Sequence, residues 1–138
     1  MLKIVLGVIA GFVAWSILWV GSDQILMVSA PGWYGAHQLD LELARVNQEP
    51  FNADSTLLLF NLVRGLIVTV LSGFLAAFLA NENRRTPLIL GVLLLLVGIG
   101  VEGMYWSQIP IWYHLVFLGM LIPASIIGGR LKHVQAMR

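Results

Sequence analysis

The sequence predicts an all-α, polytopic integral membrane protein: a four-transmembrane-helix bundle with one short amphipathic helix in its outer loop. Three observations predict it. Hydrophobic residues make up 59% of the chain and charged residues only 11%, against about 25% charged in a soluble domain. Four apolar runs reach the ~20 residues a helix needs to cross a hydrocarbon core of about 30 Å. Basic residues gather on one side of those runs. Residues 1–138 are expected to form a single transmembrane bundle, with no room for a separate soluble domain. There is no cysteine, which excludes disulfides, Cys-ligated metals and thiol catalysis.

The first helix is expected over about 2–27. Lys3 before this run and Val28-Ser29-Ala30 after it resemble the flanks of a signal peptide. The run exceeds the roughly 7–15 residues of a signal h-region, and Pro31 would directly follow the cut, so a retained transmembrane helix is expected. Residues 29–54 form the one extended polar segment. Pro31-Gly32 and Gly35 mark turns. Leu39, Leu43 and Val46 recur at i, i+4 and i+7, which predicts a short helix from His37 to Val46, lying on the membrane surface or capping the bundle. Trp33 and Tyr34 fit an interfacial aromatic belt.

The second helix is expected over 55–80, with Asp54 or Ser55 able to cap its free N–H groups. A polar turn at residues 81–85 leads to the third, over 87–106, with Thr86 as cap and Pro87 at the first position, where a missing N–H costs nothing. A break from Ser107 to Pro110 precedes the fourth, over 111–129. Pro123 inside it removes the bond to Gly119 and predicts a bend.

Charge distribution orients the bundle. With four crossings, Lys3, Arg84, Arg85, Arg130, Lys132 and Arg138 share one side, and Arg45 alone faces them. The positive-inside rule then places both termini in the cytoplasm and the 29–54 loop outside, in a plasma or inner cell membrane.

Lipid tails are as apolar as leucine, so helices associate through close backbone approach at small residues. Gly7 and Gly11 form a GxxxG pair, with Ala14 and Gly21 continuing the face. Gly65, Thr69, Gly73 and Ala77 follow at intervals of four. Gly91, Gly98 and Glu102 lie within about 40° on one helix face. On the fourth helix, Ala124 with Gly128, or Ser125 with Gly129, serve similarly. These stripes are read as intramolecular contacts, the rival being one GxxxG face that pairs two copies of the chain.

Two ionisable residues stand inside apolar runs, where a charge costs about 3 kcal/mol or more and normally faces the bundle. Arg64 lies about 13 Å below Ser55, and Glu102 about 22 Å above Pro87, at 1.5 Å per residue. Both arrive in the outer half at similar depth, so an Arg64–Glu102 ion pair is expected. Asn61 one turn from Arg64, Asp23 at the outer end of the first helix, and His114 early in the fourth would complete a polar cluster. The blander alternatives are a pair that only sets helix register and an arginine that snorkels to the headgroups. Trp106, Trp112 and Tyr113, with Trp33, make the outer end aromatic, as a belt or as a cleft for a lipid tail, quinone or pigment.

Other chemistry finds little support. His37, His114, Asp23 and Glu102 lack metal-ligand spacing, and no metal or other cofactor is expected. No serine sits in a GxSxG elbow, no phosphate-binding loop exists, and the basic tail reads as a topology signal rather than a nucleic-acid patch. The acidic first-helix motif of small multidrug transporters is missing. The run from Ala44 to Phe51 shares residue types with membrane-associated glutathione and eicosanoid enzymes, but at a different spacing, and is read as coincidence. The leading expectation is a non-enzymatic accessory, assembly or interaction subunit, working in the lipid bilayer with a protein partner or a second copy. Next comes a small transporter or permease using Arg64 and Glu102. Third is an enzyme acting on a lipid or quinone.

Overall fold

The structure, a computed structural model, describes residues 1–136, with side chains to residue 131. Five helices carry it: α1 (Leu2–Ser29), α2 (Ala36–Asn47), α3 (Ser55–Ala80), α4 (Arg85–Met104) and α5 (Ile111–Ala136). No strand occurs among the described residues. Four of the five, all but α2, are long and apolar enough to cross a membrane. The side chains of Lys132, His133 and Arg138 lie outside the described residues.

Local chemistry sets most boundaries. The Asp54 carboxylate accepts from the Thr56 N–H at 2.9 Å, making Asp54 rather than Ser55 the cap of α3. That helix ends at Asn81, which adopts a left-handed φ of 51°, a conformation asparagine tolerates. The start of α4 differs from expectation. The Glu82 carboxylate accepts from the N–H groups of Arg84, Arg85 and Thr86 at 2.7–2.9 Å, so Thr86 is not the cap. Thr86 is buried inside the helix instead. Burial raises the Glu82 pKa, but those three backbone donors outweigh it and hold the carboxyl below its ordinary range. The helix α4 stops at Met104, two residues before the expected end, and α5 continues past 129 with Pro123 in its interior.

The segment Pro31–Gly35 is a single π-helical turn running directly into α2. The Gly35 N–H donates to the Ala30 carbonyl five residues back, at 3.0 Å. Wider turns of this kind shift side-chain direction and recur at functional sites. Here the turn brings Tyr34 wholly inside. Tyr34 therefore leaves the expected aromatic belt, whereas Trp33 stays half-exposed and packs edge-on against Phe60.

The central helix is α3, which packs against both α1 and α5, while α4 packs chiefly on α5. Small residues hold these helices at backbone contact. Gly7 faces Ala76 and Ala80, Gly11 faces Leu90 and Ala76, and Gly73 faces the Ser125 backbone. Gly91 meets Ile122, Gly98 meets Leu118 and Leu121, and Gly65 meets Phe117 and Met120. A Cβ on Gly128 would stand 2.1 Å from the Val70 carbonyl oxygen. Gly21 has nothing within 4 Å, so the α1 stripe ends before it. Two polar clamps reinforce the contacts: Trp15 Nε1 donates to Thr69 Oγ1 at 3.0 Å, and Ser125 Oγ donates to the Pro87 carbonyl at 2.6 Å.

These neighbours place Lys3, Arg84, Arg85 and Arg130 at one end, because Gly7 touches Thr86 and Gly129 touches Pro87. The bundle is closely filled there. At the opposite end, covered by α2, it is not.

Candidate functional site

Arg64 sits on the α3 face toward α1, near the α2 end. Its Nη1 donates to the Trp19 carbonyl at 3.0 Å and to Ser22 Oγ at 2.7 Å. Its Nη2 donates to Tyr34 Oη at 3.0 Å and Asn61 Oδ1 at 3.2 Å, and lies 3.7 Å from the Asp23 carboxylate. The guanidinium lies 3.9 Å from the centroid of the Trp19 ring, close enough for a cation–π attraction. A planar fork of donors suits this many-sided arrangement. Tyr34 Oη in turn donates to Asp23 at 2.5 Å and to Asn61 at 3.3 Å. Burial, then the bond to Asp23, push the Tyr34 phenol well above its ordinary range, so it remains a donor.

Glu102 has a different partner. Its Oε2 is hydrogen-bonded to His114 Nδ1, joining α4 to α5. The His114 ring stacks on Trp106, with centroids 4.6 Å apart and planes 10° from parallel. His114 is completely buried, and its Nε2 has no hydrogen-bond partner. The expected Arg64–Glu102 ion pair is thus replaced by two separate pairs. Similar depth was not enough, because the Arg64 side chain turns toward α1 while Glu102 turns toward α5.

Between the two pairs lies a cavity of about 330 Å³. Asp23, Asn61 and Arg64 form one wall, and Glu102, Tyr105 and Tyr113 another. His37, Gln38, Leu41 and Glu42 of α2 complete it. Three ties hold α2 and the residues just after it there. His37 Nε2 accepts from the Asp54 N–H at 3.1 Å, Tyr105 Oη donates to Glu42 at 2.8 Å, and Gln108 Nε2 donates to the Glu49 carbonyl at 3.3 Å. Glu42 is also paired with Arg45. That bond first, and the one from Tyr105 second, hold the Glu42 carboxyl below its ordinary range.

The expected polar cluster therefore divides: Arg64, Asn61 and Asp23 form one group, Glu102 and His114 the other. All of these except His114 line the cavity. The aromatic residues divide too. Tyr113 is buried and borders the cavity, while Trp33, Trp106 and Trp112 remain partly exposed. Leu39, Leu43 and Val46, expected as the apolar stripe of a helix lying on the membrane surface or capping the bundle, do not pack on the bundle but are exposed, and Leu41 and Ala44 take the buried face. Trp19 and Tyr34 read in sequence only as part of the aromatic outer end, and Ser22, Glu42 and Tyr105 carried no signal, since none departs from ordinary interfacial composition. No group of three His, Cys, Asp or Glu able to hold a metal occurs among the described residues.

A second hollow, also about 330 Å³, is an apolar furrow between α1 and α3 lined by Leu18, Phe60, Val63 and Ile67, with Arg64 at its margin. Asp23, Glu102 and His114 do not border it. Comparison with family models, curated proteins and solved structures gives no match.

Proposed function

We propose that this chain is a small integral membrane protein that binds a small solute in the cavity beneath α2, as a transporter or permease open toward one side does. Its four long helices cross the bilayer, both termini are cytoplasmic, and α2 with the 29–54 loop lies outside. Exposed aliphatic residues on all four, such as Ile17, Val63, Leu96 and Leu115, suit a hydrocarbon surrounding. The observation that carries the reading is that Arg64 and Glu102, rather than neutralising each other, line one cavity. Ionisable groups at bilayer depth commonly mark solute pathways. The glycine contacts that fill the cytoplasmic half would then be the closed side.

The chain lacks cysteine, so single-cysteine accessibility tests this directly. Val101→Cys, in the cavity wall, is expected to react with a membrane-impermeant maleimide added outside sealed vesicles. Leu94→Cys, in the filled core, is expected to stay protected. Transport adds slower reaction of Val101→Cys from the cytoplasmic side, and reaction from outside only leaves a binding subunit. No reaction from either side refutes the solute reading.

The accessory or assembly reading has its own support. Leu39, Leu43 and Val46 form an exposed apolar stripe on α2, suited to the outer lipid interface or to a partner subunit. Purification in mild detergent that always yields a lone monomer would count against a partner. An enzyme acting on a lipid or quinone ranks third, because the apolar furrow between α1 and α3 reaches none of the candidate acid–base groups.

A further inference from the structure

We propose that the cavity beneath α2 selects a small organic cation bearing an ammonium group. The inference rests on the solute-binding reading and names the ligand class for that site.

Three carboxylates, Asp23, Glu42 and Glu102, border the cavity with Arg64 and His37. Arg64 lies beside Asp23 and Arg45 pairs with Glu42, so Glu102 is the lining carboxylate without an arginine partner. Both terminal nitrogens of Arg64 are already engaged by Asp23, Tyr34, Asn61 and Ser22, and the Trp19 ring covers the guanidinium, which leaves only its buried Nε without a partner. An incoming anion would find of that cation only the buried Nε, and would meet carboxylates. Glu102, by contrast, uses only one oxygen on His114, and its second is free to accept.

A separate observation points to a ligand. Tyr113 is 95% buried, being 5% exposed, borders the cavity, and its hydroxyl makes no hydrogen bond among the described residues. The hydroxyl is therefore free to accept from a ligand N–H seated in the cavity. The Asn61 side-chain amide also has spare capacity, since only its oxygen is engaged. An ammonium group fits the acceptors, namely the free oxygen of Glu102 and the Tyr113 hydroxyl. A second polar group on the same molecule would meet the Asn61 N–H.

The test uses the full chain carrying Val101→Cys in sealed vesicles, with ethanolamine as probe and acetate as the anionic comparison of similar size. Ethanolamine is expected to slow maleimide labelling at least threefold, and acetate to leave it unchanged. Adding Glu102→Gln is expected to weaken the protection about tenfold. Tyr113→Phe removes a single hydroxyl and serves where the Glu102 variant fails to insert; it is expected to weaken protection severalfold. Labelling that proceeds unaffected by ethanolamine, or that acetate slows more strongly, overturns the ammonium inference and leaves the open cavity standing. A Val101→Cys protein that never reacts removes the cavity reading and this inference with it.

Discussion

Tyr34 and Asp23, eleven residues apart, are joined by a 2.5 Å hydrogen bond that places a phenol between a carboxylate and a guanidinium. The bond closes the π-helical turn against α1 and positions the Asp23 carboxylate near Arg64. It also fixes where α2 begins, because α2 continues directly from that turn. The lid over the cavity thus hangs from the same residue that organises the Arg64 site.

Replacing Tyr34 by Phe should therefore do more than delete one bond. Asp23, Arg64 and Asn61 each lose a partner, and Arg64 is buried. A destabilisation of about 1–3 kcal/mol is expected, read as a lower thermal midpoint in detergent. A midpoint unchanged from the parent would show that the phenol bridge contributes nothing.

Double-mutant cycles distinguish the observed pairs from the one expected at sequence level. Asp23→Asn with Arg64→Gln, and Glu102→Gln with His114→Gln, should show coupling within the ~0.5–3 kcal/mol range of contacting groups. Arg64→Gln with Glu102→Gln should be additive to about 0.5 kcal/mol. Strong coupling across that last pair, measured by denaturant unfolding in micelles, contradicts the geometry.

Glycine contacts make a graded prediction. Gly128→Ala drives a Cβ to 2.1 Å from the Val70 oxygen, and Gly73→Ala to 2.3 Å from the Ser125 oxygen. Backbone cannot yield as a side chain can, so each should cost about 1–3 kcal/mol or more. Gly21→Ala, in open space on α1, should instead be neutral or stabilising by up to about 1 kcal/mol. Thermal unfolding of the three variants checks the order.

The hold on α2 should depend on pH through Glu42. Its pKa is lowered in the folded protein by Arg45 first and Tyr105 second. The unfolded state therefore takes up a proton at higher pH than the folded state does. The contribution is complete above the ordinary carboxylate value of 4.5 and fades as pH falls through the folded value. Spin labels at Leu43 and Ile111 should report a narrow distance distribution at pH 7 that broadens in acid. Glu42→Gln should broaden it at both pH values. A narrow distribution in that variant at pH 7 would assign the hold to His37 and Gln108 instead.

Much of the fold was legible because its causes are local. Where an apolar run begins and ends is decided by composition and by caps such as Asp54, which is why the 55–80 boundaries of α3 were readable from residues alone. The glycine stripes were legible for a related reason: close approach of two helices requires small residues, whatever the partner. The cap of α4 was less so. Thr86 has the right chemistry for it, but Glu82, reaching over the turn, satisfies three donors at once.

By itself the sequence determined that there are four long apolar helices, that small residues lie where they approach, and that Arg64 and Glu102 must turn inward. Only the tertiary structure decided whom they meet. Position along a helix sets the level within the bundle, and that level was readable. The direction a side chain takes around the axis, and the π-helical turn that carries Tyr34 inside, depend on how whole helices rotate against one another. That rotation gave Arg64 to Asp23, gave Glu102 to His114, and left a cavity where an ion pair was expected.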